Sequence, residues 1–140
     1  MIETSSPQPN VRMLNEIDPA DMCDCIHPAA VMGARRTLSE APPAEAMASL
    51  FSILGDPTRM RVLVALSSGE LCVNDLAAAT GVNRTTVSHQ LRVLRNHRLV
   101  RRRRDGKVSY YQLDDEHVSA LLHMAIDHAA EQAEAQEAMA

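Results

Sequence analysis

At 140 residues and 15.3 kDa the chain suits one domain with a tail and is too short for a large multidomain enzyme. Hydrophobic residues make up 46% but aromatic ones only 2%, with no Trp, so any core is built from aliphatic side chains, which favour helix packing. The longest apolar runs fall far below the roughly eighteen residues of a membrane span, and residues 1–30 lack the basic start and apolar stretch of a signal peptide. A soluble cytoplasmic protein with no membrane partner is expected, and its three cysteines are too few for a disulfide scaffold.

The net charge of −4 hides three blocks. Residues 1–83 hold five basic against ten acidic side chains, residues 84–107 nine against the single Asp105, and residues 108–140 none against seven. A pI of 5.8 argues against a protein that coats polyanions, yet a compact basic module in an acidic frame suits local binding to phosphate. A solvated basic face is the alternative that charge alone leaves open.

Along the chain, Pro7, Pro9, Pro19 and Pro28 interrupt periodicity in residues 1–42, which read as a flexible tail with helical character only over 29–40. Beyond Pro42-Pro43 the pattern becomes helical, and Ala46, Met47, Leu50, Ile53 and Leu54 share one apolar face. Asp56 reads as the N-cap and Pro57 as the first residue of a helix through Leu66, closed by Ser67-Ser68-Gly69. A short helix over 72–79 stops at Gly81, and Asn83 caps another over 84–96. Two helices joined by a tight Gly-containing turn are a helix-turn-helix signature.

Within the second of these helices Val87, Leu91 and Leu94 are spaced to face the core, while Arg84, Thr85, Ser88, His89, Arg92 and Arg95 point elsewhere. Hydroxyls, an imidazole and guanidinium groups are the types that meet phosphates and base edges in a major groove. Asp105-Gly106 then separates two strand-like runs, 99–104 and 107–113, as a type I′ hairpin turn would. A basic hairpin after such a helix reads as a wing, with Arg101 to Arg104 and Lys107 on phosphate or the minor groove and Arg102, Arg104 and Lys107 the chosen contacts.

The last helix, from Asp114 or Asp115 to about Ala135, repeats Val118, Leu121, Leu122, Ala125, Ile126 and Ala129 at helical spacing. His117, Leu121, Met124, His128 and Glu131 form a separate narrow stripe, and a terminal helix with two apolar surfaces usually marks a dimer seam. Asp115, His117, His128 and Glu131 are ligand types for a borderline cation. His117 and His128 nevertheless stand about 16 Å apart along one helix, whereas ligands on one zinc lie about 3 to 4 Å from each other. Two copies packed antiparallel bring one helix start to the other's end, giving two equivalent interprotomer sites per homodimer. Ordinary surface or seam histidines are the bland alternative, and His123, roughly 120° from the stripe, is assigned no role. A second site is suggested by Cys72 and Asp75, read as i, i+3 on one helix, completed by Cys23, Cys25 and His27 from the tail as a site for Zn, Cd or Pb. Chance thiols are the alternative there.

The runs Glu70 to Leu76, Val87 to Leu94 (with Ser88-His89-Gln90-Leu91 the specific part), and Asp105-Gly106 through Tyr110-Tyr111-Gln112-Leu113 resemble the ArsR/SmtB family of metal-sensing winged helix-turn-helix repressors. The resemblance covers about residues 44–135. It implies a mainly α fold with a small β-hairpin, divided into a tail (1–42), a winged helix-turn-helix domain (43–113) and a C-terminal dimerisation and sensing helix (114–140). It also implies a homodimer that binds double-stranded operator DNA, an imperfect palindrome, without metal and leaves it when metal binds. By the same resemblance Asp115, His117, His128 and Glu131 match the family's C-terminal zinc site. Cys72 and Asp75 match its other site, which recruits ligands from the opposite protomer's N-terminus. This chain has Cys72-Val73-Asn74 where lead and cadmium sensors carry Cys-Val-Cys, a loss of a thiolate that counts against a dedicated soft-metal or arsenic sensor and favours zinc, with cadmium, cobalt, lead and copper as the alternatives. The family further suggests that metal-bound His128 donates from its other ring nitrogen toward residues 94–98, linking the ion to the recognition helix.

Three other readings remain to be weighed. One is a thiol redox or persulfide switch of the same fold, using Cys23, Cys25 and Cys72. Another is a metal buffer that never touches DNA, for which the basic stretch 84–107 has no use. An enzyme with a small-molecule substrate is not expected, because four ligands in a packed seam make a closed site.

Overall fold

The structure, a computed structural model, describes residues 27–140, so Cys23 and Cys25 lie outside the described residues. The chain divides into two units, Met1–Ala48 and Ser49–Ala140. In the first, helix α1 spans Pro28–Glu40 with Pro at its first position, consistent with the helical character expected over 29–40. Its Met32 and Leu38 are exposed. Helix α2, Ala44–Leu54, begins where the apolar periodicity begins and ends at Leu54, which is buried.

The second unit follows from caps and stops that the sequence marks. Helix α3 (Pro57–Leu66) is capped by Asp56, whose carboxylate accepts from Arg59 N at 2.9 Å. Helix α4 (Val73–Thr80) ends on Gly81, whose φ of 71° supplies the left-handed stop. Asn83 caps α5 (Arg84–Asn96) by accepting from Thr86 N at 2.9 Å. The chain leaves α5 through Arg98, at φ 55°, with Arg98 N bonded to Arg95 O and Leu99 N to Leu94 O. That pair of bonds is a Schellman closure, and it turns the backbone directly into strand β2, Val100–Asp105. Strand β3 is Val108–Leu113, and α6 runs Glu116–Ala138 behind the Asp115 cap.

Leu63, Leu66 and Val62 of α3, Leu76 of α4, Val87, Leu91 and Leu94 of α5, Leu99 and Val100 before the wing, and Val118 and Leu122 of α6 are all buried in one aliphatic core. Buried polar side chains are absent from it among the described residues. The mainly α winged helix-turn-helix expected from the sequence is therefore the fold observed, with three local corrections.

The sheet has three antiparallel strands in the order β1-β3-β2, because Leu71–Cys72 forms a short strand β1 on the far edge of the hairpin. Leu71 pairs with Tyr111 and Cys72 with Tyr110. Cys72 is consequently not on a helix: it sits in extended backbone as the N-cap residue of α4. The hairpin turn also lies one residue later than Asp105-Gly106. Asp105 pairs with Val108, leaving Gly106-Lys107 as the two-residue loop, and only Gly106 has positive φ (60°). That is the type II′ pattern, with Gly first, in place of type I′.

Arg98 holds a left-handed conformation that costs a residue with a Cβ more than it costs glycine. Arg98→Gly should raise the unfolding free energy by about 0.5–1 kcal/mol in urea titration, net of the freer unfolded chain. A fall in stability would contradict this account of the junction.

Candidate nucleic-acid interface and metal sites

Burial of Val87, Leu91 and Leu94 fixes the rotation of α5, and the opposite side is left to solvent. Arg84, Thr85, Ser88, His89 and Arg92 are all exposed there. Arg84 Nη1 donates to Asn74 Oδ1 at 3.2 Å, which ties the start of α5 to α4. On the other flank Arg59 Nε donates to Gln90 Oε1 at 2.8 Å and its Nη1 to Ile53 O at 3.2 Å, so a single guanidinium joins α2, α3 and α5.

Strand β2 carries four consecutive arginines, and alternation sends them to two faces. Arg102 shares a small cavity with Ser88, Leu91, Arg92, Arg95 and Asn96 of α5, which places it on the recognition-helix side. By the two-residue period Arg104 belongs to that face too. Arg103 lies on the other: its Nε donates to both carboxylate oxygens of Glu70 at 3.2 Å, and its guanidinium sits 4.8 Å from the centroid of the Tyr110 ring. The hydrogen bonds from Arg103 hold the Glu70 carboxyl below its ordinary range, and reciprocally raise Arg103. Arg103, which is not among the contacts chosen from the sequence, is thus engaged with Glu70 on the face opposite Arg102 and Arg104. Lys107 is exposed at the wing tip.

On α6 His117, Met124, His128 and Glu131 of the stripe are exposed, whereas Leu121 is half-buried against the core. The Asp115 Oδ1 accepts from Val118 N at 3.0 Å, while Oδ2 lies 3.5 Å from His117 Nδ1. That backbone bond, aided by His117, keeps the Asp115 carboxyl below its ordinary range and so ionised. His117 is 97% exposed at its side chain. His128 and Glu131 are exposed one helical turn apart, and Gln132 Nε2 donates to His128 Nε2 at 3.2 Å. His123 donates back to Ser119 O at 2.8 Å on its own helix. Met124, 71% exposed, continues the stripe.

Among the described residues no three potential ligands come together within the chain. Asp115 and His117 form one outward-facing pair, and His128 and Glu131 another, so the donor chemistry fits a divalent ion but each pair is half a coordination set. Cys72 is half-buried, Asp75 exposed in the first turn of α4, and His27 exposed as the residue preceding α1.

Two features of the surface escaped sequence reasoning. The Glu70–Arg103 pair spans 33 residues and has no local signature. Arg95 was visible on the polar side of α5, but its approach to Arg102 depends on how the wing folds back, although the alternation of β2 already separated Arg102 from its neighbours.

These elements define a winged helix-turn-helix DNA-binding module. Residues 56–102 match the family described as bacterial regulatory proteins of the arsR family. The chain is 45% identical over 109 residues to a transcriptional repressor SmtB homolog of Synechocystis sp., covering 76% of this chain and 83% of that one. It is 40% identical over 111 residues to a cadmium resistance transcriptional regulatory protein CadC homolog of Staphylococcus aureus, covering 77% and 91%. Among solved structures it is similar to a homodimeric winged helix-turn-helix DNA-binding domain from Mycobacterium bovis, with a TM-score of 0.58, 34% identity, and 62% of this chain and 81% of that one covered. The chain belongs to the ArsR family of bacterial transcriptional regulators.

Asp115 caps α6 and is also a candidate ligand, and two substitutions separate the roles. Asparagine caps as well as aspartate, so Asp115→Asn should keep the unfolding midpoint at neutral pH near wild type while weakening metal binding; Asp115→Ala should lower both. Because the folded carboxyl is depressed, its contribution as an anion is present above its unfolded pKa and lost as pH falls through the folded one. Thermal melts down to acid pH should therefore show the wild-type advantage over Asp115→Asn, such as it is, shrinking toward zero rather than growing.

Proposed function

We propose that the chain is a metal-responsive repressor, with zinc as its effector, that binds operator DNA as a metal-free homodimer and leaves it when the ion binds between C-terminal helices. The observation that carries this reading is the pair of incomplete donor sets, Asp115/His117 and His128/Glu131, outward-facing at separated points of one exposed helix. Within one helix they are about 16 Å apart; across an antiparallel pair they become neighbours. The exposed Met124 and Ile126 between them supply apolar surface for such a seam.

On this reading Arg84, Thr85, Ser88, His89 and Arg92 enter the major groove while Arg102, Arg104 and Lys107 follow the adjoining backbone, and two modules span half-sites about one helical turn apart on an imperfect palindrome. Relatives named as an SmtB repressor homolog and a cadmium resistance regulator homolog support the class of effector. The carboxylate and imidazole donors of α6, and Asn74 where a further thiolate would strengthen a soft-metal site, favour zinc over the softer cadmium and lead, and the titration below separates it from cobalt and copper. A bound ion would supply a rigid cross-link that fixes the angle between the two helices. His117 and His128 would hold it through ring nitrogens, Asp115 and Glu131 would neutralise its charge, and the bond from Gln132 to His128 Nε2 would be given up if that nitrogen bound. Cys72 and Asp75, with Cys23, Cys25 and His27, form the proposed second site.

The test is an operator-shift titration with zinc, cadmium, cobalt, lead and copper on wild type and on His117→Ala, His128→Ala and Cys72→Ser. His128→Ala should bind operator like wild type but fail to release it with zinc, whereas Cys72→Ser should still release. Release of His128→Ala by zinc at wild-type concentrations would sink the assignment. Release triggered by mild thiol oxidation in the absence of metal, and lost in Cys72→Ser, would favour the redox reading instead.

A further inference from the structure

A small cavity lies between α5 and the wing. It measures about 160 Å³, is more enclosed than an open groove, and is lined by Ser88, Arg92, Arg95, Asn96 and Arg102 around Leu91 and Tyr111. Three arginines therefore line one small space. Among the described residues none of the three has an acidic partner: the ion pairs found involve only Arg103 with Glu70 and Asp105, and His117 with Asp115. Arg103, one residue along β2, shows what a neutralised arginine looks like in this sheet, with a bidentate carboxylate beneath it.

Like charges held together without a counter-charge are destabilising, and three on two separately anchored elements persist because the core fixes both. Leu91 and Leu94 anchor α5, and Val100 anchors β2, so the backbones that carry side chains 92, 95 and 102 are held in a fixed relation. Guanidinium forks, a hydroxyl and a carboxamide are donors that suit a tetrahedral oxyanion, and a phosphate group occupies well under 160 Å³.

We propose that this cavity is a phosphate seat in which Arg92 and Arg95 of the recognition helix and Arg102 of the wing grip one and the same backbone phosphate of bound DNA, assisted by Ser88. This rests on the DNA-binding reading above and deepens it. Helix and wing are then not independent contacts: a shift of either empties the seat, so a small change in their relation removes several charge-assisted bonds at once. Arg95, outside the contacts expected from the sequence, becomes a positioning and affinity residue.

The experiment uses the full-length metal-free protein and an operator carrying neutral methylphosphonate linkages at one backbone position at a time. Wild type should show one position per half-site whose neutralisation lowers affinity about tenfold. Arg95→Gln with Arg102→Gln should lower affinity for unmodified DNA, flatten the plot of log affinity against log salt by about one or two, and make that position silent. If that position stays as sensitive in the double variant as in wild type, the seat is overturned while DNA binding stands. If wild type binds no DNA, the function proposed above fails. The seat is then judged by phosphorus NMR with inorganic phosphate: binding lost in the double variant retains it for free phosphate, and no binding at all overturns it. Circular dichroism of both single variants confirms that the fold is kept, and Arg95→Lys, which retains charge without the fork, should recover only part of the affinity.

Discussion

The rotation of one helix about its own axis governs everything this surface can do. Val87, Leu91 and Leu94 are each fully buried, and because they recur at helical spacing they leave α5 a single orientation. Slipping the helix by one residue would turn it by about 100° and bury Ser88, Arg92 and Arg95, or Thr86 and Gln90, without partners. The cost of that error far exceeds the few kcal/mol by which a small domain is stable. The polar side of α5 is therefore displayed by the core, with no need for local contacts to hold it.

The same reasoning explains how a chain of net charge −4 presents a cationic face. Charges are segregated by secondary structure: the α5 and β2 elements bring nearly all the local cations, while α6, which follows, contains no Lys or Arg. Alternation along β2 then divides the arginines, sending Arg102 toward α5 and Arg103 to Glu70. Arg103 is neutralised and braces the wing against Glu70, the residue before β1, while Arg102 and Arg104 are left with their field directed outward. Such a local field, in an otherwise acidic protein, favours binding at a defined place over general adhesion to polyanions.

Helix boundaries and the core were legible because each rests on short-range chemistry. Asp56, Asn83 and Asp115 all cap helices as their side chains predict, and Gly81 stops one by adopting positive φ. The misread places were those decided by pairing across the chain. Leu71–Cys72 is only a two-residue strand, too short to show alternation, and it exists because β3 offers a free edge. The turn shifted because Asp105 is held in register opposite Val108, which outweighs the local preference for Asp-Gly at the centre. For the site, residue types on α5 and α6 could be read off helical spacing, whereas the cavity at Arg95 and the brace at Arg103 depend on where a hairpin folds back. Sequence spacing gives faces; only the tertiary fold gives neighbours.

A donor set split between the start and the middle of a helix has a thermodynamic consequence under the proposed function. An ion held by only Asp115 and His117, or only by His128 and Glu131, binds as to an exposed chelate of two groups, and affinity rises steeply only when a second copy supplies the rest. Metal affinity and assembly are then linked, since whatever binds the dimer better than the separated chains stabilises the dimer. DNA also selects the dimer, through two half-sites, but requires a particular angle between its modules, whereas the cross-linked helices prefer another. The two ligands agree on assembly and disagree on geometry. A coupling of about 1 to 3 kcal/mol per site, small beside the burial that holds each fold, suffices to separate them, and by reciprocity DNA weakens ion binding by the same amount. Under the proposed function the switch would need no unfolding: α6, anchored through Val118 and Leu122, would carry a change of angle into the domain, and the core would deliver it to α5.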